Sequence, residues 1–284
     1  MFEAGLVLEG GGMKGVYTCG VLDFFLDKGL EFRSCYGVSA GTCNLCSFLS
    51  KQRGRAYHVI VDYLEDKNYC GLYSLIKTGD LFGAEMCYHT IPEKLYPYDY
   101  EAYNKYQGTF YSVITNIESG QPEYIPIKDM KKDIEAIRAS ASLPLVSRNV
   151  KFKGQLYLDG GIADAIPLRR SIEDGNKKNV VIMTKEAGYR RQPSSMIRLI
   201  KLYYRKYPKV YELMKNRHNA YNETLDFITG QVERGSTFLI QPKHRSNVGR
   251  IEKDKTKLEA LYREGYQDAA NCYESLLKFL EDDA

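Results

Sequence analysis

The sequence has few histidines and no long hydrophobic run. Four histidines among 284 residues leave few positions for the imidazole base that many hydrolytic sites use. No apolar run is long enough to cross a bilayer, and the first residues, MFEAGLVLEGGG, lack the basic leader of a signal peptide. An apolar fraction of 44% can fill a large core. We therefore expect a globular, cytoplasmic protein.

The seven cysteines do not form a disulfide framework. Their number is odd and their spacing is irregular, which favours reduced thiols in the cytosol. Cys43 and Cys46 form a single C-x-x-C on a predicted helix, and without a second ligand pair we expect core packing in preference to a zinc or redox site. No acidic cluster resembles a calcium site, so we expect metal-independent activity.

Short apolar strands alternate with helices of helical periodicity, which predicts an α/β protein. Strands are predicted at 5–9 and 32–36, and helices at 17–28 and 40–51. A strand, helix, strand sequence joins parallel strands by a right-handed crossover. Further predicted elements are strands at 110–117, 180–184 and 237–242, a hairpin at 150–159 and a helix at 253–281.

A serine lies between two glycines in Gly37-Val38-Ser39-Ala40-Gly41. The segment falls between a predicted strand and a predicted helix, where a sharp turn lifts a serine hydroxyl out of the sheet as a nucleophile. A helix-capping serine in a glycine-rich turn is the alternative.

A glycine-rich loop follows the first predicted strand, and it allows two interpretations. Its spacing matches the dinucleotide-binding pattern, with Glu31 as the candidate ribose ligand, although Glu31 precedes the second strand. Val16 and Tyr17 exclude a Walker loop. The backbone N–H groups would also form an oxyanion hole beside Ser39, supplied by Gly10, Gly11, Gly12, Met13, Lys14 and Gly15. The Lys14 side chain would bind a head group or remain solvated.

Three sequence blocks together resemble the patatin-like phospholipase family. They are Gly10 to Gly15, the Ser39 turn and Asp159-Gly160-Gly161, and the segment RASASLPLV before Asp159 is also similar to that family. The resemblance covers residues 5–172 and implies a three-layer α/β/α fold with a mainly parallel central sheet. Glu9 and Ala165 depart from it, since many relatives have Asp and Asn there.

The resemblance implies a Ser–Asp dyad in which Asp159 accepts the proton of Ser39 without a histidine. A carboxylate can act as a base when burial and neighbouring groups tune its pKa. A Ser–Asp–His triad is the alternative, and chain order leaves His218 and His244 for it. His58 and His89 lie between Ser39 and Asp159, in no motif.

Residues 173–284 are predicted to form a C-terminal extension that continues the sheet. This extension resembles, more loosely, the C-terminal extension of bacterial members of the family. It contains a basic helical excursion at about 188–236 and ends in a helix. Between residues 188 and 218, nine Lys or Arg side chains accompany one acid, Glu212. Basic charge beside apolar residues makes about 190–217 a candidate for peripheral contact with an anionic membrane at its inner surface. The alternative is a helix packed on the sheet with a solvated basic face. No motif supports nucleic acid binding.

These patterns lead us to expect a serine lipid acyl hydrolase that acts on a fatty acyl ester or phospholipid and needs no cofactor. A non-catalytic lipid-binding protein and a nucleotide-binding oxidoreductase remain as alternatives.

Overall fold

The computed structural model describes residues 1–282, so the last two residues of the predicted extension, 283–284, lie outside it. An eight-stranded mixed sheet runs through the molecule. Its strands are β1 (Phe2–Leu8), β2 (Phe32–Val38), β3 (Thr109–Asn116), β4 (Pro122–Pro126), β5 (Val150–Phe152), β6 (Gln155–Asp159), β7 (Lys178–Ile182) and β8 (Thr237–Ile240). The helices are α1 (Val16–Asp27), α2 (Ala40–Leu49), α3 (Arg55–Val61), α4 (Leu72–Thr78), α5 (Tyr100–Asn104), α6 (Ile134–Ser140), α7 (Leu168–Glu173), α8 (Ile197–Tyr203), α9 (Pro208–Glu233), α10 (Lys255–Asn271) and α11 (Tyr273–Glu281).

Five strands form a parallel core in the order β3-β2-β1-β7-β8. Their carboxyl ends therefore meet at one edge of the sheet, which is where ligands bind in open α/β sheets. The remaining strands, β4, β5 and β6, pair antiparallel. The predicted parallel pair around α1 is confirmed.

Helices cover both faces of the sheet, because successive side chains of a strand point to opposite faces. Leu6 and Leu8 of β1 pack in a core with α1, α2 and α10. Val7, between them, packs in a second core with Leu168 of α7 and Tyr221 of α9. This is the three-layer α/β/α arrangement that the resemblance implied, with a mostly parallel central sheet.

β2 and β6 lie end to end along the same edge of β3. Val113 of β3 pairs with Val38 of β2 and with β4, whereas the next residue, Ile114, pairs with Asp159 of β6 and with β4. Since β4 occupies one edge at both positions, β2 and β6 share the other. β6 runs antiparallel to β3, so its carboxyl end meets that of β2, and this topology brings Asp159 to Ser39.

The structure refines several predicted elements. The helix predicted at 253–281 is two helices, because α10 ends at Asn271 and α11 begins at Tyr273. Pro208 follows the break between α8 and α9 and occupies the first turn of α9, where its missing N–H costs nothing. Between residues 1 and 282, no helix combines the length and the apolarity needed to cross a membrane.

Candidate active site

Ser39 occupies a strained turn between β2 and α2. Its φ of 55° and ψ of −123° are rare for a residue with a side chain, and such strain persists only where the surroundings enforce it. A Cβ on Gly41 would lie 2.7 Å from the Leu8 carbonyl oxygen, and one on Gly37 would lie 2.6 Å from the Thr42 Cα. The two glycines of the motif therefore permit a turn that a larger residue would open.

The last residue of α6 and the loop after it hold the backbone of both Ser39 and Asp159. The Ser39 N–H donates to the Ser140 hydroxyl at 2.9 Å, and the Thr42 hydroxyl lies 2.9 Å from the same oxygen. The Asp159 N–H donates to the Ser142 carbonyl at 2.7 Å. The RASASLPLV segment is part of the family resemblance, but only the fold shows that its serines hydrogen-bond to the backbones of Ser39 and Asp159.

Asp159 is 1% exposed and uses only one carboxylate oxygen. Oδ1 accepts the Gly161 N–H at 2.7 Å, whereas Oδ2 is buried without a hydrogen-bond partner among residues 1–282. The Ser39 side chain is close enough to affect this carboxylate, although the two do not form a hydrogen bond of normal geometry in the described structure. Burial raises the pKa of Asp159, and the Arg217 guanidinium and the Ser39 hydroxyl partly offset the rise.

Arg217 on α9 reaches across to the Asp159-Gly160-Gly161 turn. Its Nε donates to the Gly161 carbonyl at 2.5 Å. Burial, together with the nearby Arg191, lowers its pKa to about 10, while Asp159 opposes the change. Arg217 therefore stays protonated at neutral pH and lowers the pKa of Asp159. No sequence motif marked this residue.

The glycine loop packs directly against Ser39. A Cβ on Gly10 would lie 2.7 Å from the Ser39 Cβ, so only glycine fits. Within residues 1–282 the N–H groups of Gly10, Gly11 and Gly12 donate to no protein acceptor. Two of the three other predicted donors are already used, since the Met13 N–H donates to the Arg250 carbonyl at 3.1 Å and the Lys14 N–H donates to the Gly11 carbonyl at 3.3 Å.

Glu9 anchors this loop to β7 and α9. Its carboxylate is 2% exposed and accepts from the Tyr221 hydroxyl at 2.5 Å and from the Thr184 N–H at 2.7 Å. The Thr184 hydroxyl also donates to the Gly10 carbonyl at 2.9 Å. The glycine loop is therefore fixed by residues more than 170 positions away.

Two cavities meet at Ser39. One has a volume of about 190 Å³ and is mostly apolar, with Val59, Ile60, Phe82, Ile91, Ile134, Ile137 and Val146 among its lining residues. The other has a volume of about 350 Å³ and is lined by the glycine loop, Asp159 and several cations. Ser39, Gly12, Leu143 and Arg250 line both cavities.

A family model described as patatin-like phospholipase matches residues 6–171, more than half of the chain. The chain belongs to the patatin-like phospholipase family. A second model, described as a domain of unknown function (DUF6363), matches residues 207–281.

Two curated relatives share this similarity. An uncharacterized protein, YjjU, from Escherichia coli strain K12 is 33% identical over 184 residues, covering 63% of this chain and 51% of its own length. A probable lipid hydrolase, 463L, from Invertebrate iridescent virus 6 is 25% identical over 193 residues, covering 61% and 65%. The chain thus spans between half and two thirds of the length of these relatives. VipD from Legionella pneumophila aligns over 96% of this chain and 67% of its own, with a TM-score of 0.47 and 12% identity.

The four histidines of this patatin-like chain lie away from Ser39. No histidine lines either cavity in the described residues. His58 and His89 pair with Asp62 and Glu93 on the surface, and His244 is exposed. His218 follows Arg217 on α9 but faces neither cavity.

The remaining sequence candidates are Glu31 and the Cys43–Cys46 pair. Glu31 precedes β2, at the amino end of the parallel strands, and pairs with Lys51, so the glycine loop lies at the opposite edge of the sheet. Cys43 and Cys46 line the apolar cavity, and burial raises the pKa of Cys43 to about 11. Among residues 1–282 no group of three His, Cys, Asp or Glu side chains is placed to hold a metal ion.

Proposed function

We propose that this chain is a serine lipid acyl hydrolase of the phospholipase or carboxylic ester hydrolase type. Membership of the patatin-like family and the relative named as a probable lipid hydrolase support the class. The observation that carries the proposal is the meeting of a strained Ser39, a buried carboxylate with a free oxygen, and unused backbone donors at the junction of two cavities.

In the proposed first step Ser39 attacks the ester carbonyl and Asp159 accepts its proton. The unpartnered Oδ2 of Asp159 is the available acceptor, and its raised pKa makes it a stronger base than an exposed aspartate. The alcohol leaves with that proton, and an acyl group remains on Ser39. In the second step water attacks the acyl-enzyme and Asp159 takes a proton from it; the bond to Ser39 then breaks, Asp159 returns the proton to the Ser39 oxygen, and the fatty acid is released.

The oxyanion of each tetrahedral intermediate would be held by the free N–H groups of Gly10, Gly11 and Gly12. Losing one such donor costs about 3–4 kcal/mol of transition-state stabilisation in other hydrolases. The amides of Met13 and Lys14, which were also predicted as oxyanion donors, instead fix the shape of the loop, since both are bonded within the protein.

The acyl chain would occupy the apolar cavity. Its lining is aliphatic and aromatic, and it opens beside Ser39. Burying a methylene there contributes about 0.8 kcal/mol, so the rate should increase with acyl length until the cavity is filled.

Ester turnover by wild type, Ser39→Ala, Asp159→Asn and His244→Ala tests the dyad. We expect loss of activity in the first two variants, to below about a thousandth of wild type, and unchanged kcat/KM in His244→Ala. Activity that survives in Asp159→Asn would contradict the assignment of the base. Saturable lipid binding without turnover by wild type would favour the non-catalytic alternative.

The proposed activity also needs access to lipid, and α8 offers a surface for it. Ile200 of α8 and Tyr204, which directly follows it, pack inward, whereas Leu199, Leu202 and Tyr203 are exposed. The neighbouring cations are Arg198, Lys201, Arg205 and Lys206. The Leu145 N–H donates to the Tyr204 hydroxyl at 3.4 Å, which connects the end of α8 to the loop that supplies Leu143 and Val146 to the cavity lining.

The proposed location is the cytoplasmic face of an anionic membrane, in agreement with seven unpaired cysteines.

Vesicle sedimentation tests this contact. We expect the double variant Leu202→Ser, Tyr203→Ser to lose binding to anionic vesicles while it keeps its turnover of soluble short-chain esters, because it removes only exposed apolar area. Val232→Ser on α9, also an exposed apolar residue, is the matched control and should bind like wild type. Equal binding by the double variant would contradict the proposed surface.

A further inference from the structure

The second cavity at Ser39 is surrounded by more positive charge than the proposed dyad requires. Five cations line it, accompanied only by the carboxylates of Glu9 and Asp159; the cations are Lys14, Lys185, Arg191, Arg217 and Arg250. In residues 1–282 none of the five forms a salt bridge. Glu9 accepts hydrogen bonds from the Tyr221 hydroxyl and the Thr184 N–H, which leave its charge in place. Five cations against two carboxylates therefore give the cavity a net positive charge.

Several of these cations are held in place and partly desolvated. The Arg191 guanidinium lies 4.1 Å from the centre of the Tyr221 ring, and its backbone N–H and C=O are both bonded to Asn222. Its Nε is buried without a hydrogen-bond partner in the described residues. Arg217 is fixed through Nε to Gly161, which leaves its terminal nitrogens for a ligand.

Lys185 completes this set at the end of β7. Burial lowers its pKa to about 8 against the opposing effect of Glu9, and the cations Lys14, Arg191 and Arg250 add to the decrease. A buried cation that loses its water without gaining a paired anion has a high desolvation free energy. A bound anion would remove that cost, so the arrangement favours an anionic ligand over a neutral one.

The position of the cavity identifies which part of a substrate would enter it. An ester bound with its carbonyl carbon at Ser39 has an acyl side and an alcohol side. The apolar cavity would accept the acyl side, and the cationic cavity, lined by the glycine loop and Asp159, meets it at Ser39 and would accept the alcohol side. The group placed among the cations is therefore carried by the leaving alcohol.

We propose that the cationic cavity is a subsite for a phosphate group on the leaving alcohol, so that the substrate is an acyl ester of a phosphorylated alcohol with a terminal phosphomonoester. The inference rests on the proposed hydrolase function and extends it to the substrate class. Arg guanidinium groups bind phosphate oxygens through paired N–H donors, and five cations match a dianionic phosphomonoester better than a zwitterionic head group.

The subsite also gives a role to the part of the chain beyond the patatin match. Arg217 and Arg250 lie within residues 207–281, which match the domain of unknown function, and Lys185 and Arg191 lie between the two matched regions. In this account the extension supplies the leaving-group recognition of a site whose nucleophile and base lie in residues 6–171.

Matched soluble esters test the proposal. A six-carbon acyl chain on glycerol 3-phosphate, on glycerophosphocholine and on glycerol keeps the acyl side constant and avoids vesicles. We expect wild type to prefer the phosphomonoester, and Arg191→Gln and Lys185→Gln, which change residues that line only the cationic cavity, each to lower kcat/KM for it by about 10- to 100-fold, with the neutral ester changed less than about twofold. Arg245→Gln, an exposed arginine of the loop that carries Arg250, is the matched control and should behave like wild type.

The other outcomes separate this inference from the proposed function. Equal loss on all three esters, or no preference in wild type, would overturn the subsite and leave the hydrolase in place. If inorganic phosphate inhibits turnover of the neutral ester but the phosphomonoester is not preferred, the cavity binds free phosphate and the lipid assignment is wrong. If no ester is turned over, the proposed function fails, and loss of inorganic phosphate binding in Arg191→Gln, measured by calorimetry, would then decide whether the anion site exists.

Discussion

At the scale of single residues, the site depends on a balance of charges around Asp159. Burial raises its pKa, and Arg217 works against that rise. Asp159 must be ionised to accept a proton, so activity should be present above its pKa and be lost as the pH falls through it. We expect the acid limb of kcat/KM to lie above pH 3.8, the usual value for aspartate.

Arg217→Gln tests this balance through the pH profile of a neutral ester. Removing the guanidinium removes a cause that lowers the pKa of Asp159, so the acid limb should move to higher pH. Arg245→Gln should leave the profile unchanged. An acid limb that stays in place in Arg217→Gln would show that the two groups do not interact in the working enzyme.

Ser140 is expected to support the strained turn at Ser39. In Ser140→Ala the Ser39 N–H loses its buried acceptor, which should lower the free energy of unfolding by about 1–3 kcal/mol and lower kcat without a matching rise in KM. Ser142→Ala is the control, because Asp159 is held by the Ser142 backbone carbonyl and, among residues 1–282, the Ser142 hydroxyl bonds only to the Arg138 carbonyl. Urea unfolding and ester kinetics measure both effects. Similar kinetic losses in the two variants would contradict the role given to Ser140.

At the scale of elements, α1 and α10 cross at a distance that only glycine allows. A Cβ on Gly265 would lie 2.0 Å from the Tyr17 carbonyl oxygen. Gly265→Ala should therefore separate the helices and cost about 1–3 kcal/mol of stability. Apart from the adjacent backbone of its own helix, a Cβ on Gly230 of α9 would have no neighbour within 4 Å among residues 1–282. Gly230→Ala should therefore stabilise the protein by about 0.4–1 kcal/mol. Thermal unfolding of both variants measures this, and equal midpoints would contradict the close crossing.

At the scale of the whole molecule, residues beyond 172 are part of one sheet with the patatin-like region. β7 pairs along Ala4–Leu8 of β1, and the Glu9 carboxylate depends on Thr184 and Tyr221. A chain of residues 1–172 would expose the β1 edge and leave Glu9 buried without partners. We expect this shortened chain to be insoluble, or soluble but without ester turnover. A soluble chain of residues 1–172 that turns over esters would show that the extension is a separate unit.

Local patterns were enough to predict most strands and the serine turn, because each has a signature within about ten residues, such as an apolar run that ends in glycines. The role of Asp159 came from the family resemblance, since an isolated Asp-Gly-Gly is more often a turn. The break between α10 and α11 at Cys272 could not be predicted in this way, because no glycine or proline lies there. No local sequence pattern predicts that Arg217 and Lys185 belong to the site, because they reach it only when α9 and β7 pack against β1. Contacts across such long stretches of chain are set by topology, which local spacing does not encode.

The central claim is that Ser39 is a nucleophile whose base is Asp159. The most direct measurement is reaction of the purified protein with a fluorophosphonate probe, followed by mass spectrometry to locate the adduct. The account predicts an adduct on Ser39 in wild type and His218→Ala, and none in Ser39→Ala or Asp159→Asn at the same exposure. An adduct on another residue, or labelling of Asp159→Asn at the wild-type rate, would contradict it.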